Sequence, residues 1–181
     1  MEVNILNKTI KEWLPYIIII IVVIIIRSYI VTPVIVRGDS MDVTLKNGQV
    51  LFLSKISYKV HKIERFDIVV IKDSDNDLII KRIIGLPGDY VEYKNNKLYI
   101  NHHQVEDKYA FGETDDFNLE TICKITNDTC QKKIPKNKYL ALGDNREVSA
   151  DSRVKGLFTK SQIKGKTTLR IWPLNKIKVL K

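Results

Sequence analysis

The feature that most restricts the fold of this chain is an apolar segment at residues 13–31, whose centre, Ile17 to Ile26, consists only of Ile and Val. A transmembrane helix needs about 20 mostly apolar residues, and this segment has that length. Arg27 lies near its end, where a long basic side chain can reach the interface. A cleavable signal peptide is the alternative, but no small-residue cleavage site follows before Ser40. We therefore expect a retained membrane anchor.

The anchor divides the chain into a short N-terminus at residues 1–12, the anchor itself at 13–31 and one domain at 32–181. The formal net charge of the chain is +9. The lysines are scattered rather than gathered in one stripe, which argues against a nucleic-acid partner and favours contact with anionic membrane lipid. The charges that flank the anchor do not decide on which side of the membrane the domain lies.

After the anchor, short runs rich in Ile, Val, Leu and Tyr are separated by Gly, Asn, Asp or Pro, a pattern typical of antiparallel sheets. The sequence therefore predicts a mostly β fold preceded by one N-terminal transmembrane helix. The predicted strands are Val34–Val36, Val50–Leu53, Asp67–Ile71, Leu78–Ile84, Tyr90–Tyr93, Lys97–Ile100, Tyr139–Leu142 and Thr167–Trp172.

The segments between these strands carry further signals. Asn95-Asn96 predicts a hairpin turn, and Leu86-Pro-Gly-Asp89 predicts a second turn. A polar insertion at about residues 101–136 has no clear periodicity, and we expect it to form a flap or a small satellite subdomain. Residues 159–163 are predicted to form a short helix with Thr159 as its cap.

Cysteine and histidine give weaker signals. Cys123 and Cys130 are close enough in sequence to close a disulfide loop in an oxidising compartment, but two free thiols fit equally well. Two cysteines alone make a poor metal site. His102 and His103 are neighbours that point to opposite faces of a strand, so we expect both at the surface. The sequence predicts no metal site and no cofactor.

A lysine and an arginine stand side by side in an apolar strand, at Lys81 and Arg82. Because side chains alternate along a strand, the two cations face opposite ways, and we expect one of them to be buried. Burial turns a lysine into a neutral amine that can accept a proton, whereas arginine stays charged. Ser40 lies just beyond the anchor in the run Arg37-Gly-Asp-Ser-Met-Asp-Val-Thr-Leu45, and its hydroxyl needs a base before it can act as a nucleophile. Lys81 is therefore the candidate base for Ser40, although most lysines on strands only lay their stems along apolar surface.

A third segment, from Leu142 to Val154, alternates carboxylates and guanidiniums around two hydroxyls. We predict that it holds two bidentate ion pairs that brace a loop, and that Ser149 hydrogen-bonds a buried amine. Taken singly, each of the three segments has an ordinary explanation in turn or surface chemistry. Together they favour a catalytic site. The predicted pairs are Asp144 with Arg146 and Asp151 with Arg153.

These segments resemble the sequence boxes of type I signal peptidases. The match consists of GDSMDVTL for the serine box, RFDIVVI for the strand that follows it, KRIIGLPGD for the lysine box and GDNREVSADSR for the last box. The resemblance runs from the anchor to Leu174 and so covers nearly the whole chain. The short insertion and single anchor are most similar to the enzymes of Gram-positive bacteria, and a lysine base argues against the type found in the eukaryotic endoplasmic reticulum.

The resemblance implies a catalytic domain of coiled antiparallel sheets in which Ser40 attacks the scissile carbonyl and Lys81 is the general base. It implies that Ser149 orients the lysine amine and that the backbone N–H of Ser40 binds the oxyanion. Ion pairs are implied to support the site. Their residues are Asp144, Arg146, Asp151 and Arg153.

The resemblance also implies the substrate, which is a secretory preprotein bound as an extended strand, with small residues one and three before the cleaved bond. Met41 and Gly38 are expected to contact it. The domain is then expected on the extracytoplasmic side of the cell membrane, with the protein export machinery as a further partner.

Two positions depart from the family pattern. Gly38 replaces a hydroxyl residue that many relatives use as a second oxyanion donor, and Val43 replaces a proline, which we expect to loosen the turn.

The leading hypothesis is therefore a membrane-bound serine endopeptidase that removes signal peptides. A specialised relative, serving a pilus or a mitochondrial inner membrane, is an alternative in which Gly38 and Val43 mark altered selectivity. A catalytically silent, membrane-tethered protein that binds preproteins is another. The presence of both Ser40 and Lys81 favours an enzyme, since a binding protein needs neither.

Overall fold

The computed structural model describes residues 2–25, 31–126 and 131–180. Helix α1 spans Glu2–Ile25, and the predicted anchor at 13–31 extends past its end into residues outside this description. None of the helices within the described residues combines the length and the apolar character that a membrane span requires. The anchor therefore remains a prediction.

The rest of the described chain is mostly β, as predicted, and its strands form two antiparallel sheets. The larger sheet has the strand order β1-β2-β11-β3-β4-β9-β10, and β12 pairs with β11. Its strands are β1 Val31–Ile35, β2 Val50–Ser54, β3 Ile68–Lys72, β4 Leu78–Gly85, β9 Lys138–Leu142, β10 Phe158–Thr159, β11 Ile163–Trp172 and β12 Lys178–Val179.

The smaller sheet has the order β7-β6-β5-β8. Its strands are β5 Val91–Lys94, β6 Lys97–Ile100, β7 His103–Val105 and β8 Phe117–Asn118, and helix α3, Leu119–Thr126, follows directly. Strands β7 and β8 and helix α3 come from the polar insertion, so this segment completes a sheet begun by the β5–β6 hairpin. Apolar residues of that hairpin pack with Phe117 and Ile122 in one core cluster.

Each of the eight predicted strands overlaps a strand of the structure, although several ends are shifted, because runs of β-branched residues bounded by turn formers favour extended backbone. The short strands β7, β8, β10 and β12 were not predicted. Both predicted turns are present as well. Asn95 and Asn96 have φ values of 51° and 59°, as a tight hairpin turn requires. The N–H of Asp89 donates to the Leu86 carbonyl at 3.0 Å across the second turn.

The predicted helix at residues 159–163 is wrong. Thr159 ends β10, the chain turns, and β11 begins at Ile163. The Gln162 side chain accepts a hydrogen bond from the Thr159 N–H at 2.8 Å, and the Lys160 N–H donates to the Asn137 carbonyl at 2.8 Å. Such local side-chain bonds compete with a helix for the backbone groups.

The remaining regular structure of the described residues consists of α2 at Ser57–Val60, α4 at Ser152–Lys155 and a 3-10 helix at Leu174–Lys176. His102 and His103 are exposed, as predicted. Cys123 is buried in α3. The other cysteine of the predicted pair, Cys130, lies outside the described residues.

Candidate active site

Ser40 lies in the turn between β1 and β2. The turn is closed by backbone bonds from Asp42 N–H to the Asp39 carbonyl, at 2.9 Å, and from Leu45 N–H to the Met41 carbonyl, at 2.7 Å. Met41 and Leu45 are buried in the core beneath it. The Ser40 carbonyl also accepts a bond from the Asn145 N–H at 3.0 Å, which joins the turn to the loop after β9. The serine is thus held by the core and by a second loop.

Lys81 lies on β4, in the interior of the large sheet, and only 3% of its surface is exposed. Its Nζ lies 2.8 Å from Ser40 Oγ and 3.0 Å from Ser149 Oγ. Burial lowers the pKa of the Lys81 amine to about 8, while the nearby Asp151 carboxylate opposes that shift. The neutral amine is therefore populated near neutral pH, within hydrogen-bonding reach of a serine hydroxyl.

The neighbouring Arg82 is buried as well, at 0% exposure, so both cations are buried where the sequence predicted the burial of one. Its Nε and Nη2 donate to the two carboxylate oxygens of Asp144 at 2.8 and 2.7 Å, and its Nη1 donates to the Phe66 carbonyl at 2.8 Å. The guanidinium carbon lies 3.7 Å from the centroid of the Tyr109 ring. A dense set of partners therefore compensates this buried charge.

The predicted pair between Asp144 and Arg146 is wrong, because Arg82 binds both carboxylate oxygens of Asp144. In the antiparallel register of β4 and β9, Arg82 lies opposite Leu142, so its guanidinium reaches Asp144 at the end of β9. The Thr44 hydroxyl donates a further bond to Asp144 at 2.6 Å. Asp144 thus links the lysine strand to the turn of Ser40.

Arg146 pairs instead with Asp107, which follows β7 in the small sheet. Its Nη1 also donates to the Tyr93 hydroxyl at 2.6 Å, and its Nε donates to the Gly143 carbonyl at 2.9 Å. Sequence reasoning missed Asp107 and Tyr93. Asp107 lies in a polar segment without periodicity, and Tyr93 belongs to an ordinary strand, so neither carries a local signal.

The predicted pair between Asp151 and Arg153 is present and bidentate, with Nε to Oδ1 and Nη2 to Oδ2 distances of 2.9 Å each. Asp151 also accepts from the Gly143 N–H at 3.0 Å and from the Arg153 N–H at 3.2 Å, which caps α4. Ser149 lies between the two ends of this braced loop. Its hydroxyl is thereby held against Lys81.

Gly143 is a third residue whose role sequence reasoning missed. A Cβ atom at this position would lie 2.2 Å from Ser149 Oγ and 2.4 Å from the Ser40 carbonyl oxygen. Only a residue without a side chain lets the two segments approach this closely. The glycine was present in the quoted GDN motif, but its role depends on contacts with two other segments.

Val43, where the family usually has proline, has φ of 81°. Proline is confined to φ near −65° and lacks the N–H that here donates to Asp42 Oδ1 at 2.6 Å. The turn after Ser40 therefore has a shape that proline does not fit. A β-branched residue at positive φ is strained, and such strain often occurs near functional sites.

An open groove runs between β1 and the first half of β4 and ends at Ser40 and Lys81. Its floor is apolar, and its ends carry polar and charged side chains. Met41 is 1% exposed and lies in the core rather than in this lining, whereas Gly38 is exposed with open space around it. The lining residues are Thr32, Pro33, Val34, Ile35, Arg37, Ser40, Leu53, Lys55, Asn76, Asp77, Leu78, Ile79, Ile80, Lys81 and Lys164.

Within the part of the chain that the structure describes, no group of three or more His, Cys, Asp or Glu side chains is arranged to hold a metal ion. A serine hydroxyl bonded to a desolvated amine has the two parts that a serine hydrolase needs, a nucleophile and a base.

Comparisons with known proteins point to the same class. The family model described as signal peptidase, peptidase S26 matches residues 10–172. The chain is 39% identical to signal peptidase IB of Staphylococcus aureus, over 96% of this chain and 95% of that protein. It is 40% identical to signal peptidase I S of Bacillus subtilis, over 95% and 94% of the two chains.

A solved structure adds to these relatives. The crystal structure of a signal peptidase I from Enterococcus faecalis is 36% identical and superposes with a TM-score of 0.52, covering 59% of this chain and 97% of that chain. The chain belongs to the signal peptidase I family of serine endopeptidases.

Proposed function

We propose that this protein is a membrane-anchored endopeptidase that removes signal peptides from secretory preproteins, with Ser40 as the nucleophile and Lys81 as the general base. One observation carries the assignment. The Lys81 amine is buried, its pKa is lowered to about 8, and it lies 2.8 Å from Ser40 Oγ. Each property is needed, because a protonated or distant amine accepts no proton from the serine.

The reaction follows from this geometry. The neutral Lys81 amine takes the proton of Ser40 Oγ while the oxygen attacks the scissile carbonyl and forms a tetrahedral intermediate. The C–N bond then breaks, the lysine gives the proton to the leaving amine, and an ester of Ser40 remains. Water, deprotonated by the same lysine, then attacks the ester carbonyl, the bond to Ser40 Oγ breaks as the acid product leaves, and the lysine returns the proton to Ser40 Oγ. Ser149 fixes the direction of the amine throughout, since it accepts a bond from Nζ at 3.0 Å.

The negative charge on the intermediate needs a donor, and the backbone N–H of Ser40 fits this role. Among the described residues it donates to no protein acceptor, so it is available to an oxyanion. Gly38 offers no hydroxyl as a second donor, and its own N–H donates to Asn47 Oδ1 at 3.3 Å. Loss of one oxyanion donor typically costs about 10²–10³ in rate, so we expect this site to stabilise the oxyanion less than a site with two donors.

The groove suits an extended peptide. β1 is the outer strand of its sheet and pairs with β2 on one side, and β9 pairs with β4 from Arg82 onward. Within the described chain, the edges of β1 and of residues 78–81 thus face the groove without a partner strand. A peptide strand added there forms main-chain hydrogen bonds, and its alternate side chains point to the same floor. That floor includes Val34, Leu53 and Ile80, and these apolar side chains suit the small residues that we propose one and three positions before the cleaved bond.

The membrane part of the proposal rests on the apolar run at residues 13–31. We place residues 1–12 in the cytoplasm and residues 32–181 on the extracytoplasmic side, where anionic lipid and the export machinery are the neighbouring partners. Ser40 lies nine positions after Val31, a reach of at most about 30 Å. The nucleophile therefore stays near the membrane surface, where the C-terminal end of a signal peptide emerges.

The test uses the full chain in lipid vesicles with a preprotein that has alanine one and three residues before the cleavage point. Wild type and Ser161→Ala, which changes an exposed serine, are expected to cleave it. Ser40→Ala and Lys81→Ala are expected to lose cleavage while Ser40→Ala still binds the preprotein. If all four proteins are equally inactive but bind, the chain is a preprotein-binding protein and the proposal fails.

A further inference from the structure

A buried polar cluster joins the small sheet to the loop of Ser149. It consists of Arg146 from the loop, Tyr93 on β5 and Asp107 after β7. Arg146 and Tyr93 both donate to Asp107 Oδ2, and Arg146 Nη1 donates to the Tyr93 hydroxyl at 2.6 Å, so the three side chains form a closed ring. The Arg146 side chain is 0% exposed and that of Asp107 is 6% exposed. Because the ring is charged and buried, removal of any one side chain leaves the other two with unsatisfied polar groups, so its rigidity depends on all three.

The loop side of Arg146 is equally constrained. Its Nε donates to the Gly143 carbonyl at 2.9 Å, and its own carbonyl accepts from Arg153 Nη2 at 2.6 Å. Its N–H donates to the Phe111 carbonyl at 2.9 Å, and the Phe111 N–H donates to the Asp144 carbonyl at 2.7 Å. The insertion therefore binds the loop of Ser149 through both side-chain and backbone hydrogen bonds.

Gly143 transmits this constraint to the reacting groups. Its Cα has so little space that an added Cβ would lie within 2.4 Å of the Ser40 carbonyl oxygen and within 2.2 Å of Ser149 Oγ. A small displacement of Gly143 thus moves both hydroxyl-bearing segments relative to the Lys81 amine. Displacements of about 1 Å at a distance from the reacting atoms cost as much as 10²-fold in rate.

We propose that Asp107 and Tyr93 are positioning residues for the peptidase reaction, which act through Arg146 on Gly143 and so set the place of Ser149 against Lys81. The inference rests on the proposed function of Ser40 and Lys81. It gives the small sheet a part in catalysis, although none of its side chains touches the reacting groups. Both ring bonds of Asp107 run through Oδ2, and within the described residues its buried Oδ1 has no hydrogen-bond partner.

The test compares Asp107→Asn and Tyr93→Phe with matched controls in the full-length protein. Glu106→Gln removes the neighbouring exposed carboxylate, and Tyr99→Phe removes a hydroxyl from the adjacent strand. Tyr93→Phe is the milder change, because it leaves the charge of Arg146 paired. Activity is measured below the unfolding temperature of each variant, so that only folded protein contributes.

We expect kcat to fall about 10- to 100-fold for Asp107→Asn and several-fold for Tyr93→Phe, with KM unchanged because the groove is untouched. We also expect the pH midpoint of kcat to rise, since a loosened site lets water reach Lys81. The controls should retain the wild-type kcat and midpoint. Equal kcat and midpoint in all variants, or losses that only follow the folded fraction, would overturn the inference. Inactive wild-type protein would instead refute the proposed function itself.

Discussion

Two adjacent residues of one strand, Lys81 and Arg82, are both buried but differ in the hydrogen-bond partners that surround their charged groups. Arg82 is surrounded by acceptors, with both oxygens of Asp144 and the Phe66 carbonyl within 2.8 Å. The Lys81 amine is bonded to two neutral hydroxyls, those of Ser40 and Ser149. The strand therefore places one fully compensated cation on one face and one poorly compensated amine on the other.

The difference teaches that burial alone does not make a base. Burial lowers the pKa of Lys81 to about 8 because no carboxylate bonds it directly, and the charges of Asp151 and Asp144 act only from farther away. A carboxylate at hydrogen-bonding distance would favour the charged form. Arg82 has that partner, and an arginine stays charged in any case. Lys81 is thus arranged for proton transfer, whereas Arg82 stabilises the surrounding fold.

The largest change to the contrast between Lys81 and Arg82 is Lys81→Met, which keeps the length of the side chain and removes the amine. We expect the cleavage rate to fall by at least about 10³-fold, since general base catalysis and the activated nucleophile are both lost. Stability should rise by about 1–3 kcal/mol at pH 7, because a desolvated ammonium no longer has to be accommodated. Thermal unfolding and preprotein cleavage measure the two effects, with the exposed Lys160→Met as control. A loss of stability would contradict this account of Lys81.

Asp144→Asn tests the other cation and should have the opposite signature. The change leaves the Arg82 guanidinium buried without its counter-charge, which typically costs about 3–5 kcal/mol. Denaturant unfolding measures this loss. Asp75→Asn is the matched control, because that carboxylate is 70% exposed and its pair with Lys155 contributes little. Equal stabilities of the two variants would show that the buried pair is not needed.

Gly143→Ala alters the Lys81 side of the comparison without removing a polar group. The added methyl group displaces Ser149 or the Ser40 carbonyl, since it would lie closer than 3 Å to both. We expect a fall in kcat of about 10²-fold with nearly unchanged binding of the preprotein. Steady-state kinetics separate kcat from KM. An unchanged kcat would mean that the loop has more freedom than its contacts indicate.

Arg82→Lys is the smallest change, because it keeps a cation and loses the planar fork. One ammonium cannot serve both Asp144 oxygens and the Phe66 carbonyl at once, so we expect a loss of about 1–3 kcal/mol in unfolding free energy. The variant should stay active below its unfolding temperature. If it is as stable as wild type, the bidentate geometry contributes less than the charge itself.

The sequence predicted the strands well because their signals are local: runs of Ile and Val, and turns such as Asn95-Asn96. It also predicted the pair of Asp151 with Arg153, which are two residues apart. It failed for Asp144 and Arg146, whose true partners are distant in the chain and are brought close only by the pairing of β4 with β9 and by the small sheet. Contacts of this kind depend on register and topology, which residue spacing does not contain.

The most direct test of the central claim is the pH dependence of kcat/KM for the wild-type enzyme with a preprotein that lacks titrating groups near the cleavage point. Because the neutral amine is the base, the rate should rise about tenfold per pH unit below the pKa of Lys81 and level off above about pH 8. The midpoint of this profile reports the pKa of the base in the free enzyme. A profile that is flat between about pH 6 and 10, or a midpoint near the ordinary lysine pKa of about 10.4, would contradict a desolvated Lys81 as the base.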